Sequence, residues 1–134
     1  MRLLPTLYIL VILMALSACV AAPKAVGKRL YNDNCTGCHG QNGIGDGPLS
    51  ADLETPVPDL TLISSRNGGV FPMAQVMSTI DGYTRSRAGN TVMPEFGIDL
   101  QAGPLVYIDT GDGTKTPTPS RLVALAEYLR SIQR

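Results

Sequence analysis

Cys35-Thr36-Gly37-Cys38-His39 places two thiols three positions apart and an imidazole directly after the second. Thiols at that spacing lie on one side of a helical turn. They are placed to add to the two vinyl groups of a haem, and the following histidine then reaches the iron. Other chemistries share parts of this pattern. A C-x-x-C redox pair belongs in a βαβ context, and no such alternation surrounds this one. A structural zinc site needs four N or S ligands, and beyond these three the chain holds only Cys19. A simple Cys35–Cys38 disulfide leaves His39 without a role. The spacing therefore predicts one haem c attached through Cys35 and Cys38, with His39 as an iron ligand.

The chain contains one His, so a second imidazole from the same molecule is excluded. The other axial position falls to Met, Lys, water or nothing. Of five Met, Met1 and Met14 lie in the leader described below. Met73 and Met77 form an i,i+4 pair on a predicted helix, where burial in the core explains them. Met93 stands in a loop before Pro94, without periodicity to bury it and beside a residue that stiffens the backbone. Met93 is the expected second ligand.

Residues 1–23 carry a single charged side chain, Arg2. The run Leu3–Leu16 is almost wholly apolar, the size of a secretory h-region and short of the roughly 20 residues a bilayer span needs. It ends in Leu16-Ser17-Ala18-Cys19, which resembles the bacterial lipoprotein box. That resemblance implies cleavage before Cys19 and lipidation of its thiol. Two or more acyl chains give stable anchoring where one does not. An uncleaved signal anchor and plain secretion are the other two readings, and all three put the domain outside the cytoplasm, on the periplasmic side of a bacterial membrane. The expected organisation is a signal peptide over 1–18, a lipidated Cys with a short tether over 19–23, and a single domain over 24–134. Val20–Pro23, at about 3.5 Å per residue, reach roughly 14 Å and would hold the domain close to the membrane. Val20 after the cysteine favours outer-membrane sorting by the enterobacterial rule.

These groups must be positioned by a small domain. Of 134 residues, 14 are Gly and 10 Pro, aromatics are 5%, and there is no Trp. Loops are a large share of such a chain, and its side chains alone make a poor core. A large flat apolar cofactor answers both points. Lys plus Arg equals Asp plus Glu at 11 each, and that balance excludes the basic excess of a nucleic-acid binder. With Arg2 removed the domain is slightly acidic.

A first helix is predicted over Lys24–Asn34 behind Pro23, with Val26, Leu30 and Tyr31 on one face. Gly40–Pro58 reads as a loop. Asp59 can cap a short helix to Arg66, stopped by Asn67-Gly68-Gly69. Pro72–Asp81 reads as a helix ended by Gly82. Leu100–Ile108 fits either a short helix or an extended segment, and Gly111–Pro119 a turn-rich connection. A final helix carries the apolar stripe Leu122, Leu125, Ala126, Leu129 and Ile132, with Pro119 at its first position and Thr118 as N-cap. Strand signals are thin, so the fold class predicted is all-α.

Several motifs then appear in a familiar order. Gly27-x₃-Tyr31-x₃-Cys35, Cys38-His39-Gly40 followed by Gly43, Gly45, Asp46, Gly47 and Pro48, Met93-Pro94-x-Phe96-Gly97, and Leu125-x-x-Tyr128-Leu129 together resemble a class I c-type cytochrome over about residues 23–134. The resemblance implies crossed first and last helices, with Gly27 permitting close approach. It implies His39 and Met93 as iron ligands and the Pro48 carbonyl as acceptor for the other nitrogen of His39. It makes Arg66, Tyr83, Arg85, Arg87 and Asn90 candidates for the haem propionates or the Met93 loop, each weighed against an ordinary solvated side chain.

Iron held on both sides has no open position, which suits one-electron transfer better than bond-making catalysis. The expectation is a membrane-tethered electron carrier in a respiratory or related chain, not an enzyme. Its partners would be transient redox proteins at an exposed haem edge, with no small-molecule substrate. A dedicated subunit of a larger oxidoreductase is the first alternative. A gas sensor or peroxidase with a displaceable Met93, and a haem-free lipoprotein binding module, are more distant ones.

Overall fold

The computed structural model describes residues 23–84, 92–109, 111 and 113–134. The expected leader, Cys19, and the candidates Arg85, Arg87 and Asn90 lie outside the described residues. Among the described residues no helix is long and apolar enough to cross a membrane.

Helix α1, Pro23–Asn34, starts on a proline whose missing N–H would have no partner in a first turn, and it buries Gly27, Leu30 and Tyr31. The backbone carries on through Cys35, whose N–H donates to Tyr31 O at 2.8 Å, into the single turn α2, Thr36–His39. A helix this short leaves its last carbonyls unpaired. The glycine-rich loop folds back to take them. Leu49 N donates to Gly37 O, Gly47 N to Cys38 O and Gly45 N to His39 O, at 2.9 to 3.1 Å.

A 3-10 turn at Ser50–Asp52 interrupts the loop. Asp59 then caps the 3-10 turn Leu60–Leu62 by accepting from Thr61 N, and α3, Ile63–Arg66, follows. Asn67-Gly68-Gly69 ends it, with Gly69 N donating to Ser64 O. Helix α4, Met73–Asp81, buries Val76, Met77 and Ile80 and stops on left-handed Gly82. A further turn, α5, spans Gly97–Leu100.

The expected all-α class holds, with one small addition. Leu105–Asp109 (β1) pairs antiparallel with Lys115–Pro119 (β2), with Tyr107 opposite Pro117. The ambiguous stretch from Leu100 thus resolves into the end of a helix and a strand. Pro117 and Pro119 hide the second strand from a propensity reading, yet in a two-stranded ribbon both strands are edges and proline is tolerated. The turn is closed by Asp109 Oδ1, which accepts from Gly111 N and Gly113 N. Thr118 is accordingly a strand residue whose hydroxyl donates to Thr116 O, not the N-cap of the last helix. Pro119 takes the cap position without a side-chain bond, and Ser120 N donates to Pro104 O.

Helix α6, Ser120–Ser131, buries Leu122, Leu125, Ala126 and Leu129 as the stripe requires, and Ala124 and Tyr128 as well. Its largest helix–helix contact is with α1. Gly27 sits against Ala124, and the Tyr31 and Tyr128 rings pack 5.3 Å apart, tilted by 48°. Helix α4 packs on α6 from another side, so the small core runs along α6.

Candidate functional site

The α1–α2 junction brings Cys35, Cys38 and His39 to one wall of an apolar crevice. Two adjoining lobes of about 340 and 320 Å³ share Cys35, His39, Pro58, Thr79, Met93 and Phe96. Cys38, Leu53 and Val57 line one lobe, and Leu60, Ile63, Val76, Leu125 and Leu129 the other. The crevice therefore opens onto the core itself, as a cavity for a flat apolar group should.

Cys35 and Cys38 are half-buried thiols, not joined to each other. Burial, reinforced by Cys38, pushes the Cys35 thiol up to about 11. Among the described residues no three of His, Cys, Asp and Glu gather as they would around a zinc ion.

His39 is only 8% exposed, and burial holds its pKa below the usual imidazole value despite the opposing backbone carbonyl. Its Nδ1 lies 3.3 Å from Pro58 O. A carbonyl oxygen can only accept, so this pairing puts the ring proton on Nδ1 and leaves the lone pair on Nε2. The expected acceptor was the Pro48 carbonyl, and this is corrected to Pro58. Pro48 is flanked by Gly47 and Leu49, whose N–H groups are tied to Cys38 O and Gly37 O. That tie keeps Pro48 beside Thr36, Gly37 and Gly40 in a separate concavity. The chain comes round to the histidine only ten residues later. The signal for Pro58 was its place just before the capping Asp59, where the backbone must turn.

Met93 borders both lobes of the crevice. The segment after it is fastened to the end of α4: Phe96 N donates to Ile80 O at 3.1 Å. Gly97 lies so close to Asp81 that a Cβ would come within 2.9 Å of its carbonyl oxygen. Of the propionate candidates, Arg66 borders the crevice and donates from Nη2 to Asp59 O. Tyr83 is 65% exposed.

Sequence reading missed the roles of Pro58, Leu60 and Ile63 on the crevice wall, and of Gln133 and Arg134 behind them. Arg134 Nη2 lies 3.0 Å from Asp59 Oδ2. The Asp59 carboxyl is held below its usual value, first by the Thr61 hydroxyl, then by Thr61 N–H and Arg134. A depressed pKa means the contribution is present above the unfolded value near 3.8 and is lost as pH falls through the folded one. Asp59→Asn is expected to flatten the loss of stability below about pH 4, measured by urea unfolding across an acid series. An unchanged slope would show that Asp59 does not contribute.

Residues 25–133 match the family model for cytochrome c. No similarity to a curated protein or to a solved structure was found. With a C-x-x-C-H turn facing an apolar crevice, a histidine presenting Nε2, and a family match over nearly all the described residues, the chain belongs to the cytochrome c family and is a haem c electron carrier, its haem bound covalently.

Proposed function

We propose that His39 and Met93 would hold the iron of a bound haem, that Cys35 and Cys38 would carry its thioether links, and that the protein is a membrane-tethered one-electron carrier. The haem, when attached, would supply an iron centre that takes one electron from a reducing partner and passes it to an oxidising one. The observation that carries the reading is the crevice shared by His39, with Nδ1 engaged by Pro58, and Met93. A hydrogen bond from Nδ1 to a carbonyl fixes the tautomer and makes Nε2 a stronger donor. The Met93 thioether is a soft, weak donor that favours the ferrous state and raises the potential. With both residues holding the iron, exogenous molecules would find no open position, which favours electron transfer over catalysis.

Tethering through lipidated Cys19, on the periplasmic side of the membrane, follows from the leader pattern. Transient redox proteins are the partners such a site suits, met at the haem edge over a small interface.

Met93→Ala tests the ligand assignment. The variant is expected to lose the weak far-red absorption of ferric thioether-ligated haem. Its reduced form should bind CO readily where the wild type does not. Rapid CO binding by the wild type would instead favour the gas-sensor reading. Cys19→Ala is the matching test of tethering: detergent partitioning of the mature protein should be lost.

A further inference from the structure

Resting on the reading of His39 as an axial ligand, we propose that Gln133, supported by Arg134, is a positioning residue that holds the Pro58 carbonyl on His39 Nδ1. The segment 58–64 has little to hold it in place by itself. It contains one 3-10 turn and the start of a four-residue helix, and elements this short do not persist without external partners. Its polar groups are taken from outside, largely by the two residues that follow Ile132. Gln133 Nε2 donates to Leu60 O at 2.8 Å, and Gln133 Oε1 accepts from Ser64 N at 2.8 Å. The second hydrogen on Nε2 goes to Leu129 O at 2.7 Å, tying the amide to α6. Arg134 adds three bonds: N to Thr61 O at 3.0 Å, Nε to Thr61 Oγ1 at 2.8 Å, and Nη2 to Asp59 Oδ2 at 3.0 Å.

The two residues do not weigh equally. The Arg134 side chain is 64% exposed, and ion pairs in that setting contribute little. Gln133 is half-buried, uses both its donors, and bridges both sides of the 3-10 turn. On the far side, Leu60 N donates to Gly43 O at 2.7 Å, so the segment is gripped between the glycine-rich loop and α6. The His39–Pro58 contact is the sensitive point. At 3.3 Å it stands at the long end of hydrogen-bond geometry, where a shift of a few tenths of an ångström ends it. The result is a closed circuit. Helix α6 packs on α1, α1 leads through Cys35 to His39, His39 bonds Pro58, and Gln133 returns the segment to α6.

The test is hydrogen exchange by NMR on the reduced, haem-loaded protein. In the wild type, His39 ring protons strongly shifted by the porphyrin ring current establish the ligand reading; unshifted protons would defeat that reading rather than this one. In Gln133→Ala, the His39 Nδ1 proton is expected to exchange about tenfold faster than in wild type, while interior amides of α1 and α6 keep their rates. Gln133→Glu keeps an acceptor for Ser64 N but sets a carboxylate against Leu60 O, and should accelerate the same proton. An unchanged Nδ1 exchange rate in both variants, or a uniform rise across α1, α6 and His39 alike, would overturn the proposal and leave Gln133 a general stabiliser.

Discussion

The chain made without its haem is expected to be largely unfolded. Double substitution Cys35→Ser with Cys38→Ser, expressed without haem maturation, should lose the near-UV circular dichroism of a packed core and most of the far-UV helical signal. The reason lies in what surrounds the crevice. Val76, Ile80, Leu125 and Leu129 are core residues that also line it, so with nothing between them the core is open on its central face. Among the described residues Tyr31 and Leu125 are the largest fully buried side chains. A domain of this size has no second core to fall back on. Apolar surface contributes roughly 25 cal/mol for each Å² taken from water, and a bound haem would cover the core residues that line the crevice. Native-like near-UV signal in the haem-free chain would show that the side chains suffice.

The second large effect is at the helix crossing. Gly27→Ala replaces a poor helix former with the best one, a local gain of about 0.5–1 kcal/mol. The steric term has the opposite sign and is larger. A Cβ at Gly27 would overlap the Ala124 carbonyl oxygen and come within 2.8 Å of Tyr128 Cβ. The first of these is backbone and cannot rotate aside, so α1 and α6 must separate. Overpacking in a tight core costs about 1–3 kcal/mol, occasionally more. The net expectation is a destabilisation of about 2 kcal/mol, read as a fall in Tm of about 10 °C for a domain of this length. Gly27→Val should fall further. The exposed neighbour Lys28→Ala is the control and should stay within about 0.5 kcal/mol of wild type. A Tm for Gly27→Ala at or above wild type would mean that the two helices can re-pack at no cost.

Both effects trace to residues singled out before any fold was known: the thiols and imidazole because they are local in sequence, Gly27 because Gly27-x₃-Tyr31-x₃-Cys35 resembles the family's first helix. Thiols three apart and an imidazole next to the second form a local pattern that points to haem attachment. The stripe on α6, Asp59 as a cap, and Gly82 as a helix stop each depend on neighbours within a turn or two, so periodicity and composition reveal them. Met93, the proposed second ligand, stood out for the converse reason: a methionine with no periodic face to bury it stands beside Pro94.

What the tertiary structure decided is how distant segments meet. Pro48 and Pro58 are both prolines in a loop after His39, and nothing local separates them. The choice was made by Gly47 and Leu49 binding back to the carbonyls of α2, which spends the nearer proline behind the turn and leaves the farther one for the histidine. The β1–β2 ribbon escaped notice because two prolines occupy a strand that needs few N–H donors. Gln133 looks like an ordinary polar residue past the end of a helix until Leu60 and Ser64 are found against it. A hydrogen bond between segments seventy residues apart leaves no period in the sequence. Spacing along the chain therefore singled out the groups proposed to meet the haem, and packing alone determined which carbonyl stands against the histidine.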